Sequence, residues 1–271
     1  MRVRKTYVDG RYGQIHCRIA VPGTTPCAPV VCLHMSPKSG RSYQDVLPYL
    51  AAERVALAPD YPGHGESDLP PPEPHVTIPD FADSVWTVVD ALAPGPVHIV
   101  GYHTGAMVAV EAAVQRPEAV ISIVSISAPV FLPDELGALQ AAYAPIPIDE
   151  KGSRFTIMWQ RVLQHRGPGM TLPMAAASFA ENLRAGDDYE WGHRAAFDYA
   201  ETYNRNLAMI DTPVFVLNPA DDCFEQSKRA DELLKNGTRR DFPHWGHGFL
   251  NAYPADAAAV ILSYIDGQER S

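Results

Sequence analysis

Four short segments concentrate the residues able to do chemistry. Gly101-Tyr102-His103-Thr104-Gly105 sets an imidazole inside a glycine-flanked turn, and Gly246-His247-Gly248 sets a second between two glycines. Asn218-Pro219-Ala220-Asp221-Asp222 offers two adjacent carboxylates, and His34-Met35-Ser36-Pro37 brings an imidazole beside a hydroxyl. Histidine changes charge near neutral pH and serves as acid, base or, when neutral, nucleophile. A carboxylate can fix an imidazole's tautomer and stabilise its cation. Glycines at both ends of a strand-to-helix turn let strand and helix approach without a Cβ clash. The helix that follows presents free N–H groups and a positive dipole end to an anion.

The elements that must position these segments follow from the apolar pattern. Lys5 to Arg11 and Gln14 to Ala20 flank Tyr12-Gly13 as an antiparallel hairpin. Continuous apolar runs at Pro29 to His34, Val55 to Pro59, Val97 to Val100, Val120 to Val124 and Val214 to Leu217 predict strands buried on both faces. Helical patterns at Tyr43 to Glu53, Ile78 to Leu92, Ala106 to Val114, Glu225 to Leu234 and Ala255 to Ile265 alternate with them. The alternation predicts an α/β fold, a mostly parallel, doubly wound sheet. The rhythm breaks between Phe131 and Ile210, where Trp159 to Leu163, Ala175 to Leu183 and Trp191 to Asn206 are helical and no strand is expected. The division is therefore a core of residues 1–130 and 211–271 with an inserted helical cap, 131–210.

Taken in order with Asp60-Tyr61-Pro62-Gly63-His64-Gly65, these motifs resemble the α/β-hydrolase superfamily, in its capped, epoxide-hydrolase-like and C–C-hydrolase-like branch. The resemblance covers essentially the whole chain. It implies the α/β-hydrolase fold, with Gly101 to Gly105 as the nucleophile elbow, a strained turn that aims its central side chain over the sheet edge. It assigns the acid role to Asp221, with Asp222 close behind, and the base role to His247. Backbone N–H groups of Ser36 and Thr104 would form the oxyanion hole. Two positions depart from the family. The elbow centre is His103 rather than Ser, Asp or Cys, and Met35 stands where the family has glycine.

The resulting constellation, His103, His247 and Asp221, leaves four readings open. His103 is a nucleophile forming an acyl-imidazole; or His103 and His247 are acid and base of a lyase-like or cofactor-free oxygenase-type reaction. Alternatively, His34, His103, His247 and Asp221 ligate zinc or iron, or the site binds a ligand without catalysis. Asp221 is expected to accept a hydrogen bond from His247. The spacing is no metal signature, so no metal and no organic cofactor is expected. The leading expectation is a hydrolase acting on a small, partly apolar organic molecule, its pocket formed by His34, Met35, Trp159 and Trp245. Phe155, Met158, Phe179, Tyr189, Trp191 and Tyr199 are further candidates, most of them serving cap-to-core packing.

Composition narrows the classes. The 271 residues are 46% apolar, enough for a sizeable core. Twenty-two basic against 32 acidic residues give a net charge of −10, which disfavours nucleic-acid and anionic-membrane partners. Four cysteines without CxxC spacing read as reduced core residues. No apolar leader segment is evident, and a cytoplasmic location is the expectation. A small molecule is the expected partner; oligomeric state is left open.

Overall fold

A computed structural model describes residues 1–186 and 189–269; the expected cap and core boundaries therefore include four residues, 187–188 and 270–271, outside the description. Eight strands form one sheet in the order β1-β2-β4-β3-β5-β6-β7-β8. They are β1 (Arg4–Gly10), β2 (Gly13–Ala20), β3 (Val30–Leu33), β4 (Ala56–Pro59), β5 (Val97–Tyr102), β6 (Val120–Ile126), β7 (Val214–Pro219) and β8 (Gly237–Phe242). β1 and β2 form the expected hairpin, β2 runs antiparallel to β4, and every other pairing is parallel. β3, β4, β5 and β7 are buried at every residue, as continuous apolar runs require.

The helices are α1 (Leu47–Leu50), α2 (Ile78–Leu92), α3 (Thr104–Gln115), α4 (Pro133–Ala142), α5 (Ser153–Gln164), α6 (Leu172–Leu183), α7 (Trp191–Met209), α8 (Phe224–Lys228), α9 (Phe249–Ala252) and α10 (Pro254–Glu269). One apolar cluster joins α2, α3 and α7 to one face of the sheet through Val97, Ile99 and Ile123. The other joins α1 and α10 to the opposite face through Val100, Tyr102 and Val124. This alternation along β5 and β6 is the period of two expected of a strand. A capping box starts α2: Thr77 N–H donates to Asp80 at 2.9 Å, and Asp80 N–H returns to Thr77 Oγ1 at 3.4 Å. Truncating a fully buried anchor of that helix such as Trp86 costs about 3–5 kcal/mol.

Two helix expectations are corrected, and two elements were not foreseen. The helix expected over Glu225 to Leu234 divides into α8 and a 3-10 turn at Arg229–Glu232. The helix expected over Tyr43 to Glu53 shrinks to one turn, Leu47–Leu50, begun by Pro48 and preceded by a separate 3-10 turn at Gly40–Tyr43. β8 and α4 carry no strong apolar pattern: β8 reads Gly-Thr-Arg-Arg-Asp-Phe because it is the sheet's edge, where charge discourages further pairing. α4 has no buried residue. Between β6 and β7 stand four helices, α4 to α7, and among the described residues of that stretch there is no strand. Among the described residues, no helix is long and apolar enough to cross a membrane.

Candidate active site

The site forms where β5, β6, β7 and β8 end, the crevice in which open α/β sheets bind ligands. β5 passes through Gly101 and Tyr102 into a one-residue turn at His103, and α3 begins at Thr104. A Cβ on Gly101 would lie 2.2 Å from the Gly105 carbonyl oxygen, and one on Gly105 would lie 2.1 Å from that of Leu33, so neither glycine is replaceable. The turn forces His103 to φ 48°, ψ −110°. That conformation is costly for a side-chain-bearing residue and persists only where the surroundings impose it.

Among the described residues only two non-glycines have positive φ, His103 and Ser127 just beyond β6. Both side chains converge on one atom, Asp221 Oδ2: His103 Nε2 lies 3.1 Å away, and the Ser127 hydroxyl donates at 2.6 Å. Tyr102 donates to the same oxygen at 3.0 Å, while the Cys223 N–H donates to Oδ1 at 3.0 Å. The Asp221 side chain is fully buried and its carboxylate fully engaged.

His247 meets a different acid. Its Nε2 lies 2.7 Å from Asp222 Oδ1, which corrects the expected Asp221–His247 pair. Adjacent residues leaving a turn point in different directions, so consecutive carboxylates serve different imidazoles. Two His–Asp pairs thus stand side by side, their rings 5.4 Å apart between centroids, with His103 Nε2 also 3.7 Å from Asp222. Burial alone would raise both carboxyls; the facing imidazoles, His103 foremost, instead hold Asp221 below and Asp222 well below the usual range. Burial would likewise lower the His103 pKa, but the surrounding anionic groups raise it well above the ordinary value. Asp221 and Asp222 carry that effect at neutral pH, because burial pushes the neighbouring Cys223 thiol up to about 11 and leaves it uncharged.

Ser36 and Thr104 face each other beside His103. The Ser36 N–H reaches the Thr104 hydroxyl at a long 3.4 Å, so the expected oxyanion donor already has a weak acceptor. Together with His103, Tyr143, Phe131 and Cys223 they line a cavity of about 80 Å³. A larger cavity of about 290 Å³ opens on the other side of His103 and reaches Asp222 and His247. Its walls include Met35, Met158, Met170, Met174, Val162 and Leu250. Polar wall groups satisfy one another: Arg161 bonds Glu190 at 2.9 Å, and the Lys38 amine donates to Ser178 Oγ at 2.7 Å and Asn182 at 2.5 Å.

Of His34, Met35, Trp159 and Trp245 only Met35 lines a cavity; of the further candidates, Met158 and Tyr189 line the larger one. His34 is fully buried, its Nε2 accepting from the Tyr61 N–H at 3.1 Å and its Nδ1 2.9 Å from the Met35 carbonyl. Burial lowers its pKa to about 4, so it is a neutral structural group. Trp159 packs against Phe179 between α5 and α6, and Trp245 stacks between Phe242 and Phe249 at 4.7 and 4.8 Å. Both aromatics spend their rings on packing. Tyr102 and Ser127, which sequence reasoning missed, stand at the ends of β5 and β6; that strand-end position was the available signal.

The sequence model described as alpha/beta hydrolase fold matches residues 28–250, and the chain belongs to that family. A solved esterase, RhEst1 from Rhodococcus sp. ECU1013, superposes with TM-score 0.80 at 22% identity, covering 98% of this chain and 99% of that one. An esterase from Exiguobacterium antarcticum gives 0.78 at 18%, covering 97% and 100%. Among curated proteins, 2-(acetamidomethylene)succinate hydrolase of Mesorhizobium japonicum is 29% identical over 130 residues, 48% of this chain. The matched stretches span between 33% and 45% of the curated relatives' lengths.

Proposed function

We propose that the protein is a hydrolase of a small, uncharged, partly apolar carbonyl compound, of the ester or lactone class. Helices α4 to α7 act as its cap, and His103 and His247 share the acid–base work. The observation that carries this reading is the Asp221–His103 bond at the elbow. A histidine whose Nε2 is held by a buried carboxylate, and whose pKa is raised, keeps its proton and lacks the lone pair of a nucleophile. The acyl-imidazole reading therefore gives way to one in which His103 donates. The imidazolium and the N–H groups of Ser36 and Thr104 stabilise the oxyanion formed as water adds to the carbonyl. His247, its Nε2 held by Asp222, accepts the water's proton at its other ring nitrogen; His103 delivers a proton to the departing alkoxide. The methionine-rich wall and the mutual pairing of the charged wall groups favour an uncharged substrate. The esterase neighbours and the hydrolase relatives support the reaction class.

The test is hydrolysis of p-nitrophenyl acetate, p-nitrophenyl butyrate and an aliphatic γ-lactone by wild type, His103→Ala and His247→Ala. Loss of at least about a hundredfold in kcat in each variant is the expected outcome for removal of an acid–base group. Equal rates in wild type and both variants would overturn the proposal. The absence of a hydroxyl or thiol at the elbow favours a second reading, cofactor-free lyase or oxygenase-type proton transfer at the same pair. Exchange of a carbonyl compound's α-proton with solvent deuterium, without hydrolysis, would select it.

A further inference from the structure

We infer that His103, Asp221, Asp222 and His247 together form a binding site for a borderline divalent cation of the zinc type. This departs from the sequence expectation of no metal; the metal alternative weighed there had His34 in the place of Asp222. The structure separates His34, both of whose ring nitrogens are engaged in the core, and substitutes Asp222. One donor atom from each of the four residues lies within 4.8 Å of all the others. His103 Nε2 to Asp221 Oδ2 is 3.1 Å, His103 Nε2 to Asp222 Oδ1 3.7 Å, and His247 Nε2 to Asp222 Oδ1 2.7 Å. Ligands about 2.0–2.2 Å from a tetrahedral metal lie roughly 3.3–3.6 Å from one another, so small side-chain shifts bring this set to coordination distance.

Three further observations support the assignment. The four donors come from turns at the ends of β5, β7 and β8, anchored to a buried sheet. The Cys223 N–H holds Asp221 by its far oxygen, Oδ1, the kind of outer support that orients a metal-binding carboxylate, while Tyr102 and Ser127 donate to Oδ2 itself and would share that oxygen with the ion. Among the described residues, no lysine or arginine forms an ion pair with Asp221 or Asp222; their partners are the two histidines. Two carboxylates and two neutral imidazoles leave two negative charges for a divalent ion to balance. Imidazole and carboxylate donors suit zinc, cobalt, nickel or ferrous iron. Asp222 and His247 border the larger cavity, which gives an ion a path to the site; four protein donors would complete its tetrahedral shell. Such an ion would replace the protons shared within the two His–Asp pairs.

The experiment titrates ZnCl2, and separately CoCl2, into the full chain after chelator treatment, following heat of binding and the visible ligand-field bands of cobalt. One equivalent should bind. Asp222→Asn with His247→Gln should weaken binding more than a hundredfold. Ser127→Ala, which leaves all four donors in place, should weaken it by about tenfold. His244→Ala, outside the cluster, should change nothing. Absence of stoichiometric binding, or binding that survives the double substitution in protein whose circular dichroism is unchanged, would overturn the site. Zinc uptake without ester turnover would leave the site standing and remove the proposed hydrolysis. Ester turnover in protein that takes up no zinc would do the reverse.

Discussion

His247 and Asp222 share a 2.7 Å contact, while Asp221, one residue earlier, is turned away from His247 and onto the elbow histidine. The base that a serine hydrolase of this fold would aim at its elbow is therefore paired on the near side, and the elbow holds a second, separately anchored imidazole.

The two carboxylates should consequently fail differently. Asp221→Asn places an amide against four donors, His103, Tyr102, Ser127 and the Cys223 N–H, and strands at least one of them, so stability should fall by about 1–3 kcal/mol in urea titrations. Asp222→Asn strands no buried donor of that kind but removes a carboxylate held well below the usual range by both imidazoles, so it too should lower the midpoint above the carboxylate range, and it should lower esterase kcat. A wild-type midpoint in either variant would contradict these roles.

His103 predicts a pH dependence with a definite sign. Its folded pKa is raised, so its stabilising contribution is complete below the unfolded value near 6.5 and disappears as pH rises through the higher folded value. Asp221, with a lowered pKa, contributes above the unfolded carboxylate value and loses that contribution as pH falls through its folded one. The pair should therefore hold the protein most firmly between the carboxylate range and a point above neutrality. In His103→Gln the alkaline decline should flatten, measured as melting temperature against pH. Esterase activity dependent on an imidazolium should fall along the same alkaline limb.

Restoring a hydroxyl at the elbow should not restore serine chemistry. In His103→Ser the oxygen would face a histidine whose Nε2 is committed to Asp222, and Asp221 would remain held by Tyr102 and Ser127. A serine-directed phosphonate should label His103→Ser no faster than His103→Ser/His247→Ala. Rapid stoichiometric labelling that depends on His247 would show that the base swings freely between the two positions.

Lys38 offers a test on the side of the site that faces α6. Burial lowers its pKa to about 7, with Glu181 opposing the shift. Between about 7 and the unfolded value of 10.5 the unfolded chain holds the extra proton, so this residue makes stability rise with pH across that window. Lys38→Met should remove that rise, seen as a flatter plot of urea midpoint from pH 7 to 10. An unchanged slope would mean the amine stays charged on its Ser178 and Asn182 acceptors.

Much of the fold was legible because the central strands are buried on both faces, and such strands can be built only from unbroken apolar runs. β8 escaped because an edge strand is selected for charge rather than burial. At the site, the glycines around His103 were readable because backbone contacts as short as 2.1 Å would exclude any Cβ. The choice between Asp221 and Asp222 was not readable, because spacing places a turn along the chain but not the direction in which each of two consecutive side chains leaves it. Trp159 and Trp245 were misassigned for a related reason: an aromatic suits a pocket wall and an interhelical contact equally well, and only tertiary structure decides. For Ser127 the strand-end position was the one signal, and it could not show the role, which depends on a positive φ of 54° that a serine rarely adopts.

The loop Gly167-Pro168-Gly169, between α5 and α6, touches the backbone of His247 directly. The Gly167 N–H donates to the His247 carbonyl at 3.1 Å, and a Cβ on Gly167 would fall 2.5 Å from that same oxygen. The inserted helices and this histidine are thus mechanically joined. A displacement of this loop would therefore pull on the His247 backbone, and through it on the Asp222 contact, so the position of the proposed base depends on how the inserted helices sit.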